Sequence, residues 1–231
     1  MKTFWKYRKN IFSQNGEDGI IEEILKKLEI NTGWFCEFGA WDGKHLSNTF
    51  NLLTKGWSGL DIEADPERYK ELEKTAKEFP NLNILNARVS TEGEFYLDNI
   101  LSKYPIPKDF ELLNIDIDNN DYAVWESLKE YKPKIVIIEI ESSIKPGTEQ
   151  ISDSGKTSFT SMLKLGREKG YTLICMTGNQ IFVRNDLTKG LNLSREELEN
   201  PNQLFLWRFV IRKFFYNILH LKFKLNKQKE K

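Results

Sequence analysis

The chain has 231 residues, of which 39% are hydrophobic and 29% charged; this is enough for one large α/β domain with a real core and too apolar for a disordered or fibrous chain. Its 34 Lys+Arg balance 34 Asp+Glu, but residues 1–10 and 204–231 are basic, which leaves the body, 11–203, at −11. An acidic globule with basic ends does not look like a nucleic-acid binder, whose cations should line the folded face.

The first ten residues, MKTFWKYRKN, lack the apolar run and small-residue cleavage site of a secretory leader, and no stretch offers 18 uncharged apolar residues. Cytoplasmic location is the expectation, with peripheral contact at the inner face of a membrane left open to the basic ends. Ser13-Gln14-Asn15-Gly16-Glu17-Asp18 precedes a first helix over about Gly19–Leu28, whose Ile20, Ile21, Ile24, Leu25 and Leu28 recur at helical spacing. Six polar or glycine residues exceed what a helix start needs, so this loop is expected to cover cofactor or acceptor; Gln14, Asn15, Glu17 and Asp18 are its candidate acceptor contacts.

Strand-like runs follow at Trp34–Ala40, Gly59–Glu63, Asn83–Val89, Glu111–Asp118, Lys134–Glu141, Tyr171–Met176 and Gln180–Arg184. Helical segments are predicted between most of them, at about 45–54, 66–79, 97–104, 121–130 and 158–169. The run KIVIIEI is apolar on both faces, as a central parallel strand should be. Alternating strands and helices imply right-handed crossovers and a doubly wound parallel sheet. The last two runs are separated only by Thr177-Gly178-Asn179, a hairpin turn, so the seventh strand runs antiparallel to the sixth. Cys36 and Cys175 each lie in such a run and read as buried thiols in a reducing compartment.

In a doubly wound sheet the ligand sits beyond the carboxyl ends of the strands. The first strand leaves through Glu37-Phe38-Gly39-Ala40-Trp41-Asp42-Gly43, where the glycines are placed to let backbone approach a ligand. Glu37 and Asp42 on that loop would repel a pyrophosphate and favour a cationic cofactor, which disfavours an NAD(P) oxidoreductase. Glu63, ending the second strand, is placed to accept both hydroxyls of a ribose.

The chain resembles FkbM-type S-adenosylmethionine-dependent methyltransferases over about residues 12–186. The resemblance rests on FSQNGEDG (12–19), CEFGAWDG (36–43), DIEADP (61–66), LDNIL (97–101), LNIDIDNND (113–121), IIEIESSIKPG (137–147) and GYTLICMTGNQIFV (170–183). It implies a Rossmann-like class I methyltransferase fold, α/β, with a seven-stranded, mostly parallel sheet ending in a β-hairpin. It implies too that Glu37, Gly39, Ala40, Asp42, Gly43 and Glu63 hold S-adenosylmethionine, with Asp116 beside them. The family's fourth-strand motif is similar to Ile-Asp-Val-Glu-Gly-Ala-Glu; here Asp118 and Asp121 replace its glutamates and Asn119 its glycine. The expected activity is O-methylation of a hydroxyl on a sugar or glycan precursor. The alternative is a binding module, membrane-associated, with an eroded site.

Asp116 and Asp118 share a strand face, as do Glu139 and Glu141 on the next strand. Four carboxylates there need relief from a divalent cation, a raised pKa or a cationic substrate. Asp116 is therefore the candidate general base, or with Asp118 a ligand for Mg²⁺. Asp121 is read as the N-cap of the next helix. His45, read as starting the helix after the glycine loop, is a second candidate base or simply an exposed helix-start residue. Glu139, and Lys145 in the long loop Ser142–Ser158, are further candidate acceptor contacts. Leu204–Leu225 interleaves apolar and basic residues as a helix that lies in a membrane interface, packs on the body, or closes a homodimer. The expected divisions are an N-terminal helix and covering loop (1–30), the cofactor-binding domain (31–190) and a basic amphipathic tail (191–231).

Overall fold

The computed structural model describes residues 4–117, 120–205 and 207. Seven strands form one sheet: β1 (Trp34–Phe38), β2 (Ser58–Glu63), β3 (Leu82–Asn86), β4 (Leu112–Ile115), β5 (Ile135–Glu139), β6 (Tyr171–Met176) and β7 (Asn179–Arg184). Their order is β3-β2-β1-β4-β5-β7-β6. β1 to β5 pair in parallel, and β7 lies antiparallel between β5 and β6. This is the Rossmann-like methyltransferase fold that the hairpin implied.

α1 (Glu17–Lys27) precedes β1; between the strands lie α2 (Phe50–Leu53), α3 (Pro66–Glu78), α4 (Leu97–Leu101), α5 (Asp121–Ser127) and α6 (Phe159–Glu168), with α7 (Arg195–Glu199) after β7. Side chains alternate along a strand, so each strand feeds two cores. On β5, Ile135 and Ile137 join the core under α1, α2 and α3, whereas Val136 and Ile138 join the one under α4, α5 and α6. Ile20, Ile21, Ile24 and Leu25 of α1 are buried in the first of these, each stabilising by about 1.5–3 kcal/mol. Helix starts follow local chemistry: Asp65 accepts from Glu67 N (2.8 Å) and Arg68 N with Pro66 at the first position, and Ser158 accepts from Ser161 N.

Three local expectations are corrected. The helix expected over 45–54 is confined to Phe50–Leu53, because Leu46 takes a left-handed φ of 57° and residues 47–49 spend their donors on Glu37. The fourth strand stops at Ile115, where its pairing with Phe38 ends. Asp121 is not the N-cap of α5: that position is Asn120, with φ 70°, and Asp121 instead accepts from Ile117 N at 3.0 Å.

Residues 191–205 pack on the body. Leu191, Leu204 and Phe205 are buried, the 201–204 turn lies beside edge strand β6, and Phe205 meets Phe159 edge-on. The helix expected over 204–225 lies otherwise outside the described residues, Trp207 excepted. Among the described residues no helix is long and apolar enough to cross a membrane.

Candidate active site

A cavity of about 580 Å³ opens beyond the carboxyl ends of β1, β2 and β4. Strand order reverses between β1 and β4, and such a switch point leaves a crevice because successive crossovers depart to opposite sides. The walls come from the loop after β1, from Ile62–Ala64 at the end of β2, from Ala87–Val89 after β3 and from Asn114–Ile117 at the end of β4.

Glu37 organises the first wall. Its Oε2 accepts from Ser47 Oγ (2.6 Å) and Thr49 Oγ1 (2.5 Å), and its Oε1 from Asn114 Nδ2 (2.7 Å) and Asn48 N (3.2 Å). Asn48 Nδ2 in turn donates to Asn114 Oδ1 at 2.9 Å. Burial pushes the Glu37 carboxyl up from its ordinary range, and these four donors hold it down. Glu37 lines the cavity as expected, but as the anchor that ties loop 47–49 to β1 and β4.

Gly39 and Ala40 line the cavity; Asp42 and Gly43, expected on the cofactor, lie outside its wall. Asp42 Oδ1 accepts from Lys44 N (2.9 Å) and His45 N (2.7 Å), which closes the turn after the loop, so only Glu37 of the two expected acids faces the cavity. Both glycines answer to protein neighbours. A Cβ on Gly39, at φ 77°, would sit 1.8 Å from the Asp116 carbonyl oxygen, and one on Gly43 would meet Leu72 of α3 and Asp61.

Glu63 is 4% exposed and lines the cavity. Its Oε2 accepts from Trp41 N and its Oε1 from Asp65 N, at 2.8 and 2.7 Å, so the carboxylate is oriented and each oxygen keeps a lone pair for a ligand hydroxyl. Ile62, Ala87 and Val89 supply an apolar side beside it. Across the mouth, the Arg68 guanidinium stacks over the Trp41 ring at 4.6 Å. Behind the wall Asp61 is 1% exposed and its Oδ1 has no partner; burial first, then the charge of Glu37, raises its carboxyl well above the ordinary range.

A second cavity, of about 180 Å³, shares Leu46, Asn48 and Asp116 with the first. Gln14, Asn15, Glu17 and Glu139 line it, so four of the expected acceptor contacts converge on one space with Ser142, Gly178 and Asn179. Asp18 does not join them. It is buried, and its Oδ2 accepts from Ile11 N, Phe12 N, Ser13 N and Ser13 Oγ at 2.7–2.8 Å, which folds the covering loop. Lys145 is exposed and lines neither cavity.

His45 is exposed in the turn before residue 46, its ring edge-on to Trp41 at 5.1 Å. It lines the first cavity but not the second and starts no helix. Asp116, which lines both, is exposed just past β4. Its expected partner in holding Mg²⁺, Asp118, lies outside the described residues, and among those described no three His, Cys, Asp or Glu side chains converge as metal ligands. Glu141 turns away from the cavities: its Oε1 accepts from Ser143 N and Oγ, and its Oε2 lies 3.8 Å from Lys156 Nζ.

Sequence reasoning missed Asn48, Asn114 and Leu46. An amide inside the apolar run Leu112-Leu113-Asn114-Ile115 was a legible signal, since a buried amide needs partners. Leu46 carried none: its role comes from a left-handed backbone. Trp41, Leu46 and Asn120, three of the five non-glycine residues with positive φ among those described, line the first cavity, where strained backbone tends to gather.

No protein-family model matches the chain, and no curated protein is significantly similar to it in sequence. Among solved structures, the CurJ carbon methyltransferase superposes with a TM-score of 0.50 at 9% identity, covering 78% of this chain and 56% of that one. At that identity the likeness speaks for the fold. The N-terminal domain of EvdMO1, in the presence of SAH and D-fucose, gives a TM-score of 0.49 at 12% identity over 74% of this chain and 83% of that one. A SAM-dependent methyltransferase from Aquifex aeolicus gives 0.44 at 11% identity over 71% and 87%.

Proposed function

We propose that the protein is an S-adenosylmethionine-dependent O-methyltransferase acting on a hydroxyl of a sugar or glycan precursor. The observation that carries this reading is the pair of cavities sharing Leu46, Asn48 and Asp116 at the switch point, the larger with a buried, oriented carboxylate, Glu63, at the end of β2. Methyl transfer between two bound molecules needs two sites meeting at one wall.

The residues of the larger cavity fit the cofactor. Glu63 would take the ribose hydroxyls, Ile62, Ala87 and Val89 the flat face of the base, and Glu37 and Asp116 would favour the cationic methionine end. S-adenosylmethionine supplies the methyl group on a sulfonium that is already a good electrophile. What remains for this chain is to orient the acceptor and remove its proton. Asp116 is the base that fits, because it lines both cavities, whereas His45 lines the donor side alone. The basic segment 204–231 supports the accompanying proposal of a cytoplasmic enzyme resting on an anionic membrane.

A dinucleotide is disfavoured on a ground the loop acids alone did not supply. After β1 the chain runs through turns to Phe50, and the helix that begins there has four residues. No helix N-terminus therefore stands at Gly39 to receive a pyrophosphate.

Calorimetric titration with S-adenosylmethionine, S-adenosylhomocysteine and NADH tests the reading. Saturable binding of the first two, weakened at least tenfold by Glu63→Ala, is the expected result. Binding of NADH alone, or of none of the three, would overturn it.

A further inference from the structure

We infer that Asn48 is a positioning residue for the transferable methyl group, its carbonyl oxygen facing the sulfonium end of the donor where the two cavities meet. This rests on the reading of the larger cavity as the donor site.

Position comes first. Leu46, Asn48 and Asp116 line both cavities, so a group passing from one to the other passes among them. Leu46 and Asp116 are exposed. Asn48 alone of the three is both polar and buried, at 5% exposure.

Polarity comes next. The two ends of a carboxamide are alike in shape, and its neighbours decide which one a ligand meets. That decision starts at Glu37. Its Oε1 takes Asn114 Nδ2 at 2.7 Å, which leaves Asn114 Oδ1 to accept from Asn48 Nδ2 at 2.9 Å. The Asn48 backbone N–H donates to the same Glu37 oxygen at 3.2 Å, so the residue is tied by main chain and side chain alike. With Nδ2 drawn toward β4, Oδ1 and one N–H have no hydrogen-bond partner among the described residues. Oδ1 is not sealed off by protein either, and the spaces that Asn48 lines are the two cavities.

A sulfonium repels an N–H and attracts a carbonyl oxygen, and its polarised methyl group makes C–H···O contacts. The oxygen is therefore the half of this amide that a cationic donor can use. S-adenosylhomocysteine lacks both the methyl group and the charge while the rest of the molecule is the same. A contact from Asn48 Oδ1 thus favours the methylated compound specifically.

The test is calorimetry of the full chain and of Asn48→Leu with S-adenosylmethionine and S-adenosylhomocysteine. Leucine keeps a branched side chain and removes the oxygen. The variant should lose about two- to fivefold in affinity for S-adenosylmethionine relative to S-adenosylhomocysteine, the size of one such contact. A purely structural role would weaken both alike. In the unaltered chain, the nitrogen-15 signal of the Asn48 side chain should move at least twice as far with S-adenosylmethionine as with S-adenosylhomocysteine, a readout that stands even if Asn48→Leu does not fold. An unchanged affinity ratio, or equal movement of the signal with both compounds, would overturn the inference and leave the donor reading intact. Failure of both compounds to bind the unaltered chain would remove the donor reading, and this inference with it.

Discussion

Glu17 Oε1 accepts a hydrogen bond from Thr177 Oγ1 at 2.6 Å, joining the first turn of α1 to the β6–β7 turn across 160 residues of sequence. Both side chains are buried, and the other oxygen of Glu17 accepts from Asn15 N at 2.8 Å. One carboxylate thus holds the covering loop against the far wall of the smaller cavity, where Gly178 and Asn179 stand.

Thr177→Val keeps the shape and removes the donor. Leaving one oxygen of a buried carboxylate unpaired should cost about 1.5–3 kcal/mol. Hydrogen exchange over residues 11–16 should accelerate and binding of methyl glucoside weaken, while S-adenosylhomocysteine binds as before. An equal loss for the cofactor would show that the loop serves the donor side too.

Gly39→Ala and Gly93→Ala separate backbone strain from collision. Both glycines have φ of 77°, but a Cβ at Gly39 meets the Asp116 carbonyl whereas at Gly93 nothing lies within 4 Å. Urea denaturation should show a loss of about 1 kcal/mol for Gly93→Ala and about 3 kcal/mol or more for Gly39→Ala. Equal losses would remove the close approach of β1 and β4 as the reason for Gly39.

Asp61→Asn should stabilise the protein at alkaline pH. The folded-state pKa is raised, so the folded state holds its proton where the unfolded chain has lost it, and stability falls as pH rises above about 4. Glu37, raised by burial, acts in the same direction. The amide cannot ionise, so thermal melts should show the variant ahead by about 1–3 kcal/mol at pH 8 and level with the parent near pH 4. A variant less stable at pH 8 would mean that the ionised form has a partner in the folded protein.

Leu46→Gly should separate folding from recognition. Glycine adopts φ 57° without strain, so stability should hold or rise by up to about 1 kcal/mol, while methyl glucoside binding falls at least tenfold. Unchanged sugar binding would assign Leu46 no contact with the acceptor.

Much of the fold was legible because its signals are local and repeated. The two-sided apolar run at 134–140 marked an interior strand, Thr177-Gly178-Asn179 marked the returning hairpin, and Asp65-Pro66 marked the start of α3. That Glu63 lines the larger cavity and Gln14, Asn15, Glu17 and Glu139 the smaller one could be anticipated because strand ends and polar loops sit at the crevice of any doubly wound sheet. What stayed hidden is how acids spend their hydrogen bonds. Asp18 and Asp42 looked like ligand contacts and instead close their own loops, while Glu37 holds 47–49 out of a helix. A carboxylate facing a backbone donor and one facing a ligand read alike in sequence, and only the position of the donor distinguishes them.

The placement of β7 has a consequence for how the molecule is completed. β6 is made first yet has no neighbour in the sheet except β7, which must slot in beside β5 to attach it. The residues that wall the larger cavity are all synthesised by Asn120, whereas the smaller cavity waits for Gly178 and Asn179 at the tip of that late hairpin. During vectorial synthesis the larger cavity can assemble while the smaller one is still missing a wall. Changes at the hairpin tip therefore reach the smaller cavity through the last part of the sheet to be built.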